Sequence, residues 1–131
     1  MPTDVARRAV LVVTHGGVGG ELVAVARELL GDIPHLAAVS VTARDSMEEV
    51  SAKIEKWALK IPAGARAVIL TDLKNSSATV SALTLSKKYP LDCLCGVNLP
   101  LLLKALSPSD AGLPDLVAAG RTGIDVVGKS K

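Results

Sequence analysis

Two side chains in this sequence, an imidazole and a carboxylate, are suited to nucleophilic chemistry. His15 lies two residues beyond the apolar run 9–13, and Asp72 lies two residues beyond the apolar run 67–70. A neutral imidazole has one donor and one acceptor nitrogen, so a carboxylate that accepts its proton fixes the tautomer and orients the ring. The other nitrogen is then free to attack. Phosphoryl transfer needs little beyond in-line positioning and charge stabilisation, which such a pair supplies.

The loops that carry the pair also hold groups suited to a phosphate. Backbone N–H groups of Gly16 and Gly17, together with the N-terminus of the next helix, are candidates for holding phosphate oxygens. In the second loop, Ser76 and Ser77 offer hydroxyls beside another helix N-terminus. We therefore expect both loops to contribute to one phosphate-binding site.

The elements that must position these residues alternate between strand and helix. Buried apolar runs predict four strands, and the stretches between them predict helices. The predicted strands are 9–13, 36–41, 67–70 and 91–97, and the predicted helices are 21–30, 46–60, one from Ser77 to about 88, one after Asn98, and 113–127. In the first helix, the predicted apolar positions are Leu22, Val25, Ala26 and Leu29.

Local signals support several of these helix ends. Ser46 and Glu49 form a capping box, Gly31 is a C-cap, and Asn98 is an N-cap with Pro100 in the first turn. Such signals fix where a helix begins or ends, but they say nothing of its partners.

The alternation predicts an α/β fold, a three-layer sandwich with a mostly parallel sheet and helices on both faces. We expect one domain over 1–131 with the flavodoxin-like strand order 2-1-3-4. In that order the first and third strands are neighbours, and the chain leaves them in opposite directions. Their carboxyl ends form the topological switch point, where such folds bind ligands. We therefore expect His15 and Asp72 to share one crevice.

Composition excludes several other classes of protein. The chain has 131 residues, is 49% hydrophobic and contains one Trp, one Tyr and no Phe, which predicts an aliphatic core. Its net charge of +2 comes from scattered basic residues, without the basic stripe or stacking aromatics of a nucleic-acid site. No run is long enough to cross a bilayer, and the run before His15 is too short for a signal peptide. We expect a cytoplasmic protein with two reduced cysteines, Cys93 and Cys95, in its core.

Three other interpretations use the same positions. A receiver domain would need an acidic pair after the first strand to hold magnesium, and Thr14 and His15 stand there instead. A nucleotide- or small-ligand-binding module remains open, although the glycines after His15 do not form G-x-G-x-x-G and there is no Walker motif. A structural interaction domain also remains open, but it would not require His15 to face Asp72.

Four segments, in their order and spacing, are similar to those of a known family. They are V-V-T-H-G at 12–16, L-L-G at 29–31, L-T-D-L at 70–73 with Ser77 downstream, and G-V-N-L-P-L at 96–101. Together they resemble the IIA component of the mannose-type bacterial sugar phosphotransferase system. The resemblance runs from about residue 9 to residue 127, nearly the whole chain.

The resemblance implies a phosphocarrier. His15 would accept a phosphoryl group from the phosphohistidine of the carrier HPr and pass it to a IIB protein, while Asp72 bonds the other ring nitrogen. Family members of this kind are homodimers whose sheet is extended by an exchanged C-terminal element, here beyond about Leu113. The resemblance implies no metal and no organic cofactor. The sequence stops at Lys131 with no IIB domain after the IIA segment, so we expect a stand-alone IIA protein.

The sequence departs from the family pattern in the second loop. Where the family has D-x-x-G-G-S-P, this chain has D-L-K-N-S-S-A at 72–78. Lys74 and Asn75, with Asn98 in the next loop, are therefore assigned to the surface that faces a partner. The altered loop leaves two roles open: sugar uptake through a IIB protein, or regulation, in which another protein reads the phosphorylation state of His15.

Overall fold

Strands and helices alternate along residues 7–128, the part of the chain that the computed structural model describes. The elements are β1 (Ala9–His15), α1 (Val18–Leu30), β2 (Leu36–Val41), α2 (Met47–Ala58), β3 (Ala67–Thr71), α3 (Ser77–Ser86), β4 (Asp92–Leu94), α4 (Leu99–Leu106) and α5 (Leu113–Thr122). The Ser46 capping box, the Gly31 C-cap and the Asn98 N-cap are all present as predicted.

The strands form one parallel sheet in the order β2-β1-β3-β4. This confirms the predicted α/β fold and its flavodoxin-like strand order. In the register of β1 with β3, Val13 lies opposite Thr71, so both strands end at the same edge of the sheet. That shared edge carries His15 and the loop that begins at Asp72.

The core lies on both faces of the sheet, because alternate strand residues point to opposite sides. On one face, Leu11 and Ile69 pack with α2 and α3. On the other face, Val12 and Leu70 pack with α1, α4 and α5. β1 and β3 are covered on both sides, which explains why their sequences are continuous apolar runs.

Helix α1 differs from its prediction in both its start and its buried face. It begins at Val18 rather than at residue 21, so Gly19 and Gly20 lie in its first turn. It buries Gly19, Val23 and Ala26, whereas Val25 and Leu29 are 36% and 58% exposed. The prediction was therefore right at Ala26 and at Leu22, which is half-buried and packs against the core, and wrong at Val25 and Leu29, because Gly19 lets the adjacent face approach β1 closely.

The fourth strand and the last helix are shorter than predicted. β4 ends at Leu94, because the chain turns at Gly96, whose φ is +79°, and bonds to the loop after β3. Helix α5 ends at Thr122, with Gly123 as its C-cap. Within residues 7–128, no helix has the length and apolar character needed to cross a bilayer.

Candidate active site

His15 and Asp72 meet at the carboxyl ends of β1 and β3. His15 is the last residue of β1, and Asp72 follows the last residue of β3 directly. The imidazole is 55% exposed and the carboxylate is 19% exposed. The structure therefore brings together the two residues that the sequence singled out, with the ring facing solvent and the carboxylate behind it.

Three hydrogen bonds hold the Asp72 carboxylate. Its Oδ2 accepts from the backbone N–H of His15 at 2.8 Å and lies 2.8 Å from the ring Nδ1. Its Oδ1 accepts from the backbone N–H of Leu73 at 2.8 Å. Because an ionised carboxylate only accepts, Nδ1 carries the proton and Nε2 keeps a free lone pair. The arrangement leaves Nε2 as the ring nitrogen with an available lone pair.

The same contacts set the charge state of Asp72. Partial burial would raise its pKa, but the hydrogen bonds from the His15 N–H, the His15 ring and the Leu73 N–H together outweigh burial and lower the pKa below its usual value. At neutral pH the group is ionised. It can therefore support a positive charge on the ring.

A buried threonine and a helical glycine position the loop after His15. Thr14 is fully buried, and its Oγ1 accepts from the N–H of Gly19 at 2.6 Å. A Cβ at Gly19 would lie 2.9 Å from that oxygen and 3.1 Å from Cγ1 of Val12, so only glycine fits without a shift. Sequence reasoning missed this contact. The only signal was a polar residue inside an apolar run, five residues before a glycine.

The Gly16 N–H is not available to a ligand, contrary to its predicted role as a phosphate donor. It donates to the carbonyl of Val41 at 3.0 Å, and the Gly16 carbonyl accepts from Ser40 Oγ at 2.8 Å. Gly16 thus continues the pairing of β1 with β2, and its φ of +54° suits glycine. Gly17 is the N-cap of α1, which lacks a side-chain cap. In the first helical turn, the N–H groups of Val18 and Gly20 have no intrahelical acceptor by geometry.

In the second loop, Ser76 and Ser77 have different surroundings. Ser76 is 8% exposed; its Oγ donates to the carbonyl of Leu73 at 2.9 Å and accepts from the N–H of Thr79 as the N-cap of α3. The Ser76 proton is therefore engaged within the loop. Ser77 is the first residue of α3 and is half-buried, and Lys74 and Asn75 are exposed.

Asn98 has a structural role that differs from its assignment to a partner-facing surface. Its Oδ1 accepts from the N–H of Leu101 at 2.9 Å, and its Nδ2 donates to the carbonyl of Gly120 at 2.8 Å, which ties α4 to α5. The preceding residues reach the site instead. The N–H of Gly96 donates to the carbonyl of Asp72, and that of Val97 donates to Thr71.

The two cysteines lie just before this segment as free thiols. Burial, with a smaller contribution from Cys95, raises the pKa of Cys93 to about 11, so that thiol stays protonated. Cys95 is exposed, so its predicted place in the core was wrong. Within residues 7–128, no group of three or more His, Cys, Asp or Glu side chains is placed to hold a metal ion.

The family model described as the PTS system fructose IIA component matches residues 9–119, which includes both His15 and Asp72. The chain belongs to this IIA family. IIA components of the sugar phosphotransferase system act as phosphotransferases, in keeping with an imidazole that presents a free nitrogen. No curated protein matches the chain with significant similarity.

Solved structures share the fold of this IIA protein at low sequence identity. The mannose/sorbose specific IIA subunit from Enterococcus faecalis is 23% identical, with a TM-score of 0.84 over 96% of this chain and 98% of its own. The PTS IIA protein associated with the fucose utilization operon from Streptococcus pneumoniae is 19% identical, with a TM-score of 0.81 over 95% and 96%. A sigma-54 interaction domain protein from Enterococcus faecalis is 16% identical, with a TM-score of 0.72 over 91% of each chain.

Proposed function

We propose that this IIA protein is a phosphocarrier that accepts a phosphoryl group on Nε2 of His15. The observation that carries the proposal is the 2.8 Å contact of Nδ1 with Asp72, which leaves Nε2 unprotonated on a ring that is 55% exposed. In the step, the Nε2–P bond forms as the P–N bond of the donor phosphohistidine breaks. The donor imidazole recovers the electron pair. Nδ1 of His15 keeps its proton, and the ring charge is balanced by Asp72.

The phosphoryl oxygens would be held by the two helix N-termini that flank the ring. The N–H groups of Val18 and Gly20 at α1, with the Gly17 N–H, and the Ser77 hydroxyl at α3 are the candidates. Helix N-termini carry a partial positive charge, which suits the dianionic group. The Gly16 N–H and the Ser76 hydroxyl are left out of this set because the protein itself already uses them.

The donor and acceptor proteins need an apolar surface beside His15, and α1 provides one. A shallow concavity of about 510 Å³ is lined by Val18, Leu22, Val25 and Leu99 and edged by Glu21. It begins at Gly17, two residues from the nucleophile, so a protein seated there would overlie the ring. We propose HPr as the donor and a IIB protein as the acceptor, both in the cytoplasm.

The C-terminal region supports a homodimer with an exchanged segment. Ile124, Val126 and Val127 are 79%, 70% and 99% exposed, which is costly for three aliphatic side chains in one copy. β4 pairs with β3 on one side only among the described residues. A groove of about 370 Å³ containing Cys95, Arg121 and Ile124 follows that edge. We propose that 124–127 of a second copy lies along β4.

Regulation is a second candidate role for the same chemistry. The sigma-54 interaction domain protein from Enterococcus faecalis has a similar fold and is named for an interaction with sigma-54 rather than for transport. In that role the phosphoryl group on His15 would alter which protein binds, and no IIB protein would be needed. The residues that form the site are the same in both roles.

Phosphorylation by purified donor proteins tests the proposal directly. Incubation with phosphoenolpyruvate, enzyme I and HPr should label wild-type protein on one histidine, with the acid lability and base stability of a phosphoramidate. His15→Ala should abolish the label. His35→Ala is the matched control, since His35 is exposed in the connection before β2, and it should be labelled normally. Equal labelling of both variants would overturn the assignment.

Capture by phosphorylated protein then separates the two roles. Retention of a IIB protein that accepts the phosphoryl group would establish uptake. Retention of a transcription regulator without phosphoryl transfer would establish regulation.

A further inference from the structure

The loop that carries Asp72 is held by its backbone rather than by side-chain packing. The Leu73 side chain is 62% exposed and anchors nothing. The Leu73 N–H donates to Asp72 Oδ1, and the Leu73 carbonyl accepts from Thr79 Oγ1 at 2.7 Å and from Ser76 Oγ at 2.9 Å. Both peptide groups that flank the Leu73 Cα are therefore fixed. One of them touches the carboxylate that orients His15.

The hydroxyl protons in this network can be assigned in only one direction. Each hydroxyl has one proton, and Thr79 uses its proton on the Leu73 carbonyl. Thr71 Oγ1 lies 2.6 Å from Thr79 Oγ1, so Thr71 must donate and Thr79 must accept. The Thr71 hydroxyl therefore donates to Thr79, and the Thr79 hydroxyl donates to the Leu73 carbonyl. This chain of hydrogen bonds ends at the residue whose N–H bonds the Asp72 carboxylate.

The hydroxyls of this network are shielded from water, which strengthens their hydrogen bonds. Thr71, Ser76 and Thr79 are 0%, 8% and 6% exposed. In such surroundings a hydrogen bond is stronger than in water, and a lost partner leaves a polar atom unsatisfied. Ser76 also stands where the family pattern has glycine. In this chain, buried hydroxyls therefore hold the loop without relying on glycine conformations.

We infer that Thr79 is a positioning residue for the active site: its hydroxyl fixes the Leu73 carbonyl and thereby the backbone of Leu73, whose N–H holds the Asp72 carboxylate on Nδ1 of His15. Thr79 touches neither the ring nor the phosphoryl group. It acts on the tautomer of His15, which sets how much Nε2 is available as a nucleophile. The effect of Thr79 on phosphoryl transfer rests on the proposed phosphocarrier function. Its effect on the tautomer of His15 does not depend on that function.

The test is Thr79→Val, which removes the hydroxyl at nearly constant shape. Nitrogen-15 NMR of the neutral His15 ring should show a shift from Nδ1–H towards Nε2–H, and transfer from phospho-HPr should slow by about tenfold, as for the loss of groups that orient a reactive histidine. Thr79→Ser should restore both. Thr84→Val is the matched control, because its hydroxyl bonds only the Val80 carbonyl on the exposed side of α3.

A double variant separates positioning from simple loss of stability. Thr79→Val leaves the buried Thr71 hydroxyl without its acceptor. The double variant, Thr71→Val with Thr79→Val, removes both hydroxyls and should be more stable than Thr79→Val alone. The tautomer shift should persist in the double variant. An unchanged tautomer in folded Thr79→Val and in the double variant would overturn the inference. Absence of phosphorylation in wild type would instead refute the phosphocarrier proposal and leave the tautomer result standing.

Discussion

At the scale of single residues, the chemistry depends on which ring nitrogen of His15 holds the proton. An imidazole in water exchanges its proton between two nitrogens, and only the unprotonated one can attack. The 2.8 Å contact with Asp72 selects Nδ1–H, and the backbone N–H of His15 bonds the same oxygen at 2.8 Å. One carboxylate oxygen thus fixes both the ring and the backbone that carries it, so small movements of Asp72 would change the orientation and tautomer of the ring.

Asp72→Asn removes the charge and keeps the shape. We expect transfer to His15 to slow by about ten- to hundredfold with the fold intact, by analogy with the loss of a carboxylate that orients a metal-ligating histidine. Single-turnover transfer from phospho-HPr measures this. Asp45→Asn is the control, because Asp45 bonds Thr42 and Lys53 and not His15. Unchanged transfer in Asp72→Asn would remove the carboxylate from the mechanism.

The same variant has a signature in the pH dependence of stability. The pKa of Asp72 is lowered in the folded protein, so its ionised form favours folding. That contribution is complete above the unfolded pKa of about 3.9 and disappears as the pH falls towards the folded pKa. The difference in unfolding free energy between wild type and Asp72→Asn should therefore shrink below about pH 4. Urea titrations across that range measure it, and a constant difference would contradict the lowered pKa.

At the scale of the elements, the site depends on how closely α1 approaches β1. Gly19 allows that approach, and the Thr14 hydroxyl accepts the Gly19 N–H that the helix itself leaves unpaired. This contact starts α1 at Val18, only three residues after His15. The N-terminus of the helix, with its unpaired N–H groups, is thereby placed beside the ring.

Gly19→Ala should disturb this element. Its Cβ would lie 2.9 Å from Thr14 Oγ1, so we expect a loss of about 1–3 kcal/mol from overpacking, reduced by the better helix propensity of alanine. Gly20→Ala is the control: nothing lies within 4 Å of its Cβ, so it should stabilise the helix by about 0.5–1 kcal/mol. Chemical denaturation compares them. Equal stabilisation of both variants would show that α1 is not held close to β1.

The second loop shows an element whose shape comes from hydrogen bonds between its own residues. The hydroxyls of Ser76 and Thr79 converge on one carbonyl, that of Leu73. In the family pattern this stretch contains two glycines and a proline, which set the backbone by conformational preference. Here the hydroxyls supply the constraint, so the loop keeps a defined shape although both glycines are absent.

At the scale of the whole molecule, the described C-terminal end exposes three aliphatic side chains, those of Ile124, Val126 and Val127, which the proposed dimer would cover. Val126→Asp should weaken a dimer built by exchange of 124–127, because the carboxylate would enter the groove along β4. Light scattering after size-exclusion chromatography should show a dimer for wild type and a monomer for the variant. Val80→Asp is the control, since Val80 is a 45% exposed aliphatic residue on α3. A monomeric wild-type protein would refute the dimer.

The sequence alone was sufficient for the order of elements and for the pair at the switch point. Apolar runs on β1 and β3, the cap at Ser46 and the turn at Gly31 are local features, so their meaning does not depend on distant residues. The flavodoxin-like strand order was the preferred topology for four strands that alternate with helices, and it predicted that His15 and Asp72 share one crevice. Those steps use periodicity and chain connectivity, which a sequence contains in full.

Only the tertiary structure decided which groups remain free for a ligand. Gly16 and Ser76 have the right chemistry for a phosphate, but Val41 and Leu73 already take their protons; Asn98 is occupied in the same way by Leu101 and Gly120. The exposed face of α1 was likewise decided by the fit of Gly19 against Thr14 and Val12. One physical reason explains all these differences. A hydrogen-bonding group or a helix face can be occupied by a ligand or by another part of the protein, and several of the protein partners lie on other elements of the fold.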